Sequence, residues 1–329
     1  MILKDEIWIL GDNRPGTVSQ SIGLAEEIGF DYKIINLTYN FLAFLPNFLF
    51  SRSMIRLTKD VKNKFQNLDY LPSMIISAGR RSAPVALYLK ELSDNRTKIV
   101  QIMNPNLNFD KFDFVILPKH DEADESAHSN LITTIGALTK TNEKSIAQER
   151  EKFASWFAEI KKPKIALMLG GSSNKTKFTT DSGIELAQII SEITNNMDAT
   201  LLVLNSRRSG DELSQAVKSN LNCDFKFFDW KETKNENPYL AILGYADFFV
   251  ITGDSVSMIS ECCSTGKPVY IFDEKEISSK KHRKFHQNLI AENYAKKLSR
   301  NIHELEKNSS SKKLLETKKV AALIRAIIS

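Results

Sequence analysis

Short apolar runs alternate with longer amphipathic stretches along most of the chain, the pattern of a parallel sheet layered with helices. Glu6–Leu10 reads as a first strand, followed by the glycine-bearing loop Gly11–Gly16 and a helix to about Ile28. Tyr32–Leu37, Ser73–Ser77, Lys98–Met103 and Asp113–Leu117 read as further strands. The last two are short and rich in Ile, Val and Phe, as buried parallel strands tend to be. The loop Ala78–Ser82 opens a helix ending near Leu92, and His120–Asn130 is polar and reads as an exposed loop.

The second half repeats the plan. Arg150–Ile160 reads as a linker helix punctuated by Pro163. Lys164–Leu169 is a strand, and after it Leu186, Ile189, Ile190 and Ile193 fall on one helical face. Ser182 with Glu185 predicts a capping box for that helix. Thr200–Leu204, Asp247–Thr252 and Pro268–Phe272 are strands, with a helix from about Val256, and the charged Lys296–Lys319 region reads as a solvated helix or tail. The pattern predicts an α/β protein of two doubly wound domains facing each other across a cleft: residues 1–150, and residues 151–329 ending in a helical tail.

Composition changes this picture little. A length of 329 residues fits two domains, and 42% apolar with 26% charged residues is ordinary globular usage. A net charge of +5 is too small to indicate a nucleic-acid protein. Cys223, Cys262 and Cys263 form neither a CxxC pair nor a metal-ligand spacing, which fits a reducing compartment. The N-terminus lacks a basic region and a small-residue cleavage site, so no signal peptide is expected. No apolar stretch approaches the ~20 residues needed to span a bilayer. A cytoplasmic location is expected, with peripheral contact at a membrane's inner face if an apolar segment described below lies there.

In open α/β sheets ligands bind beyond the carboxyl ends of the strands, and five polar loops fall there. Asp12, Asn13 and Arg14 supply a carboxylate, an amide and a guanidinium; an ordinary turn with Asp12 as a local cap is the alternative. Gly79, Arg80 and Arg81 place two cations at a helix start, where the dipole favours an anion, so an anionic ligand would remove a conflict; solvated surface arginines are the alternative. Gly170, Gly171, Ser172 and Ser173 have the form of a phosphate cradle, and Ser206, Arg207 and Arg208 repeat the arginine pair. Gly253, Asp254 and Ser255 precede Ser257 and Glu261, which share a helix face and can meet a ribose; a solvated Glu261 is the alternative.

Other patterns are absent or coincidental. The P-loop, GxGxxG and GxSxG spacings are missing, and Asp121–Asp124 spells the helicase letters without a P-loop. His282 and His286 stand four apart, but Lys280, Lys281, Arg283 and Lys284 surround them, so neither a metal site nor a cofactor is expected. Phe41–Phe50 is intensely apolar, and Arg52, Arg56, Lys59, Lys62 and Lys64 follow it. Membrane contact, core packing and a partner surface all fit that segment.

Taken together, Trp8–Gly29, Leu45–Leu49, Ile75–Lys90, Gln101–Pro105, Leu169–Ser173, Asn205–Arg208 and Thr252–Glu261 resemble the mitochondrial fission family named for elongated mitochondria in plants, which has many alphaproteobacterial members. That family looks like the GT-B glycosyltransferases, built from two Rossmann-like domains. The resemblance implies a nucleotide sugar held by Gly171, Ser172, Ser173, Arg207, Asp254, Ser255 and Glu261, with the acceptor and the base Asp12 in the first half. The function expected is a metal-independent glycosyltransferase. The alternatives are a non-catalytic adaptor and a nucleoside-diphosphate-sugar epimerase.

Overall fold

The structure is a computed structural model that describes residues 2–328 except 13, 48–50, 67, 122–123, 174–175, 234, 275 and 307–311. The chain divides into two compact units, one formed by Met1–Lys140 with Leu315–Ser329 and the other by Thr141–Leu314.

The first unit runs β1 (Ile2–Gly11), α1 (Pro15–Ile28), β2 (Tyr32–Asn36), a 3-10 turn (Phe41–Phe44), α2 (Lys59–Gln66), β3 (Tyr70–Ala78), α3 (Ala83–Leu92), β4 (Lys98–Ile102), β5 (Phe114–Pro118) and β6 (Leu131–Thr134). The second runs α4 (Glu143–Lys152), α5 (Ala154–Phe157), β7 (Lys164–Leu169), α6 (Thr180–Asn196), β8 (Thr200–Asn205), α7 (Gly210–Asn220), β9 (Phe225–Phe228), α8 (Tyr239–Tyr245), β10 (Phe248–Thr252), α9 (Val256–Ser264), β11 (Val269–Phe272), α10 (Lys280–Ala291) and β12 (Lys296–Lys297). Helix α11 (Glu316–Ile328) then closes the first unit.

Among the described residues each unit holds one six-stranded sheet, ordered β2-β1-β3-β4-β5-β6 and β12-β11-β10-β7-β8-β9, and every pairing is parallel. The order reverses between β1 and β3 in the first sheet and between β7 and β10 in the second. These are the switch points where a parallel sheet leaves a crevice beyond its strand ends. Strand period explains the layering: in β1, Trp8 and Leu10 enter one core while Ile7 and Ile9 enter the core on the opposite face. The second sheet buries Ile165, Leu167 and Leu169 of β7 against Leu186, Ile190 and Ile193 of α6, the face that the helical spacing predicts.

Several expectations are corrected. Helix α6 starts earlier than a Ser182–Glu185 box would allow: Thr179 is its N-cap and accepts from the Ser182 amide, while Glu185 pairs with Arg300. The capping box lies instead at Asn142 and Ser145, which open α4. In place of one linker helix over Arg150–Ile160, α4 ends at Lys152 and the short α5 covers Ala154–Phe157. Inside the predicted polar loop His120–Asn130, His120 is buried. The predicted tail Lys296–Lys319 contains strand β12 and buries Leu298, Leu305, Leu314, Glu316 and Thr317.

Helix α11 lies along α1, and Val320, Ala321 and Ile324 are fully buried with Leu24, Ala25 and Ile28. Ile324→Ala is therefore expected to destabilise the first unit by about 2–5 kcal/mol in denaturant unfolding. Ile327→Ala, at a side chain 70% exposed, should change stability by no more than about 0.5 kcal/mol. Equal effects of the two would contradict this docking.

Candidate functional site

In the second unit the loops after β7, β8 and β10 meet at the switch point through one enclosed carboxylate. The Asp254 side chain is fully buried. Its Oδ2 accepts the Gly171 amide at 3.0 Å and faces the Arg208 guanidinium at 2.8 Å, and its Oδ1 accepts the Thr252 hydroxyl at 2.7 Å. Thr252 Oγ1 in turn accepts the Gly170 amide at 2.8 Å. A Cβ on Gly170 would strike Asp254, and one on Gly171 would strike the Arg208 carbonyl, so both glycines are required by this closure. Ser209, missed in the sequence, donates its hydroxyl to the Leu169 carbonyl at 2.9 Å and accepts the Ser206 amide at 3.0 Å.

Other expected residues have distinct local settings. Ser255 caps α9 by accepting the Met258 amide. Ser172 accepts the Phe178 amide at 3.0 Å, and Ser173 bonds Thr176 at 2.7 Å. Arg207 is exposed, and the Arg208 side chain remains 38% exposed beyond its contact with Asp254. Ser257 is half-buried one turn before Glu261. Glu261 is not a freely solvated carboxylate: it accepts hydrogen bonds from the Tyr239 hydroxyl of α8 and from Thr141. Burial dominates those bonds and pushes its carboxyl up to about 7.

Beside the same loop, His286 of α10 is 2% exposed, with Nδ1 3.1 Å from Asp273 and its ring against Gly253. Burial and the neighbouring His286 lower the pKa of His282. A cavity of about 580 Å³ opens here, lined by Glu185, Asp273, Glu276, Arg283 and His286 among others. The histidine spacing is visible in the sequence, but Asp273 comes from a different element, so the pair was not.

In the first unit the corresponding loops are also clustered. Asp12 Oδ1 accepts the Arg14 amide at 3.0 Å and Oδ2 lies 3.6 Å from Arg14 Nε, so the local turn role is observed. Asn13 lies outside the described residues. Gly79 has φ +76°, a left-handed conformation that favours glycine. Arg81 lies over the rings of Tyr39 and Phe44. Arg80 donates to the Leu45 carbonyl at 3.3 Å. Arg56 is buried and donates to the carbonyls of Leu45 and Pro46 and to the Asn47 side chain, while Asn47 donates to the carbonyls of Arg80 and Pro105. Phe41 and Phe44 are 80% and 76% exposed while Ala43 and Asn47 between and after them are buried, so the two phenylalanines are not core residues; residues 48–50 lie outside the described residues. Tyr39 was missed, because nothing in its immediate sequence marks it.

Comparison with known proteins places this geometry. The family profile described as "Mitochondrial fission ELM1" matches residues 15–328. The chain belongs to this family. An uncharacterised protein of Rickettsia prowazekii is 33% identical over 97% of each chain. The mitochondrial fission protein ELM1 of Arabidopsis thaliana is 28% identical over 61% of this chain and 51% of its own length, so the match spans about half of the plant protein. Solved structures of UDP-GlcNAc 2-epimerase from Methanocaldococcus jannaschii and, bound to UDP-GlcNAc, from Neisseria meningitidis match with TM-scores of 0.53 and 0.52. Identity is 11% in both, with 98% of this chain and 99% of each of those chains covered. The fold of this ELM1 family member is GT-B-like, two doubly wound Rossmann-like units.

Two consequences for this ELM1 family member can be measured. Gly171→Ala is expected to destabilise the second unit by about 1–3 kcal/mol in denaturant unfolding, because the Arg208 backbone must move; an unchanged midpoint would contradict the closure. Glu261 holds its proton more tightly folded than unfolded. Its contribution is present below pH 4.5 and is lost as pH rises to about 7, by about 1–3 kcal/mol. Relative to Glu261→Gln, the wild type should lose that stability between pH 4.5 and 8, and parallel profiles would show that burial does not govern this carboxyl.

Proposed function

We propose that the second unit binds a nucleoside diphosphate sugar and that the protein is a metal-independent glycosyltransferase. The observation that carries this reading is the convergence of the loops after β7, β8 and β10 at the switch point, with Arg208 fixed by the enclosed Asp254. A guanidinium held by a buried carboxylate is preorganised, and its exposed remainder meets a diphosphate oxygen without prior rearrangement. The start of α9 adds backbone N–H groups to the same anion site. Arg207, Ser172 and Ser173 complete the diphosphate contacts, and Glu261 accepts from the ribose as it accepts from Tyr239 and Thr141 in its absence. Asp254 serves as the organiser of these contacts.

In this mechanism an acceptor hydroxyl loses its proton to Asp12 as its oxygen bonds the anomeric carbon. The bond from that carbon to the diphosphate oxygen breaks, and the arginines and amides stabilise the departing charge. Arg207 and Arg208 supply the positive charge that a metal ion would otherwise provide. The fold shared with UDP-GlcNAc 2-epimerases favours a second reading, in which the same sugar nucleotide is epimerised, and it makes UDP-sugars the first ligands to test.

No helix among the described residues is long and apolar enough to cross a membrane. A cytoplasmic protein touching a membrane surface through Phe41 and Phe44 is the localisation this reading carries.

The test is thermal unfolding of the whole protein with UDP-, GDP-, ADP- and CMP-sugars. A ligand at 100 times its Kd adds about 2.7 kcal/mol of stability, a clear rise in Tm. One base should give that rise, and Arg207→Gln should weaken it several-fold without altering the unliganded Tm. Release of an epimerised sugar nucleotide without acceptor would favour the epimerase, and no rise with any nucleotide would overturn the donor site in favour of an adaptor.

A further inference from the structure

The loop end of the first unit carries charge that its own residues do not neutralise. The Arg81 guanidinium lies 5.9 Å from the Tyr39 ring centroid and 5.6 Å from that of Phe44, and its buried Nε has no hydrogen-bond partner among the described residues. No carboxylate pairs with it among the described residues. The Tyr39 hydroxyl is buried and also lacks a partner among the described residues. The charged groups acting on that hydroxyl are Asp12, Arg81, Arg14 and Arg56, three guanidiniums to one carboxylate, and Asp12 is already engaged by Arg14. Burial raises the Tyr39 pKa above its ordinary value, so the phenol remains a donor at physiological pH. Buried donors without acceptors are rare and call for a ligand or water.

An apolar surface adjoins this charge. Phe41 and Phe44 are 80% and 76% exposed and Ile55 is 41% exposed. That exposure is imposed: Asn40 caps the 3-10 turn and donates to the Ile55 and Leu57 carbonyls, and the buried Arg56 holds the carbonyls of Leu45 and Pro46. Arg81 belongs to both surfaces, since one of the rings beneath it is Phe44.

We propose that this end of the first unit binds a net-anionic phosphate carried on an apolar chain, with Arg81 and Tyr39 on the phosphate and Phe41 and Phe44 on the chain. Guanidiniums acting on the Tyr39 hydroxyl from separate loops, Arg14 after β1 and Arg81 after β3, suit a tetrahedral oxyanion better than a flat carboxylate, which one fork satisfies. The apolar half rests on the membrane reading above. The phosphate half is independent of it and of the nucleotide-sugar site, whose residues lie in the second unit.

The experiment is calorimetric titration of the full chain with dihexanoyl phosphatidic acid below its micelle concentration, dihexanoyl phosphatidylcholine and inorganic phosphate, with flotation on phosphatidylcholine vesicles with and without phosphatidic acid. Dihexanoyl phosphatidic acid should bind about tenfold more tightly than either of the other two ligands. Arg81→Gln should weaken it by about tenfold and Tyr39→Phe by about fivefold, the loss of a charged and of a neutral hydrogen bond. Phe44→Ser should reduce it to the affinity of inorganic phosphate, and unchanged Tm values show that the variants fold. Binding unaffected by Arg81→Gln, or inorganic phosphate or phosphatidylcholine bound as tightly, would overturn the proposal. Vesicle binding lost in Phe44→Ser but kept in Arg81→Gln would overturn the phosphate site while sparing membrane contact. Short-chain ligand bound as expected without vesicle binding would support the site and refute the membrane reading.

Discussion

The Asp254 carboxylate receives an amide from the loop after β7, a guanidinium from the loop after β8 and a hydroxyl from the end of its own strand β10. Three segments far apart in the chain are thereby tied at the switch point of the second sheet. An enclosed ion pair contributes little net stability, because desolvation offsets its attraction, but removing one partner leaves a charge stranded. Its effect is therefore on position more than on stability. Gly170 and Gly171 follow from it, since neither loop could approach with a Cβ present. So does the set of Arg208, which would otherwise be one more mobile surface cation.

The first unit uses an enclosed charge of the opposite sign. Arg56 gathers the Leu45 and Pro46 carbonyls and the Asn47 side chain, and Asn47 passes the constraint to the Arg80 and Pro105 carbonyls. The loops after β2, β3 and β4 are thereby joined, and the aromatic turn is held outward. Burial and the nearby Arg80 charge both lower the Arg56 pKa, the electrostatic cost of crowding guanidiniums at this edge.

Helix α9 links the second unit's loops to its two chain ends. Ser255 caps it and Glu261 meets Thr141, the first residue of the unit, while the Cys263 carbonyl accepts the amide of Leu314, the last. Protonation of Glu261 near neutrality thus acts on the same helix that carries the Gly253–Ser255 loop. Two neighbouring side chains, Tyr239 and His286, reach this region from α8 and α10; the histidine spacing of α10 shows in the sequence, but nothing in α8 marks Tyr239.

The sequence alone determined the layer plan. Periods of two and 3.6 residues reflect which side chains share a face, a property of adjacent positions, so β1, α1, β7, the inner face of α6 and the start of α9 were legible, as were the polar loops at the strand ends. The family resemblance rested on particular residue runs, such as Trp8–Gly29 and Ile75–Lys90, and not on these periods. What the tertiary structure decided depends on which distant segments become neighbours. Only strand order brings Asp254 against Gly171 and Arg208, and only packing sets Glu261 against Tyr239. The docking of α11 was not legible, because its charged entry reads as solvated up to Lys319 and the partners of Val320 and Ile324 on α1 lie at the other end of the chain. Tyr39 carried no signal at all, because its importance comes from the arginines that folding places around it.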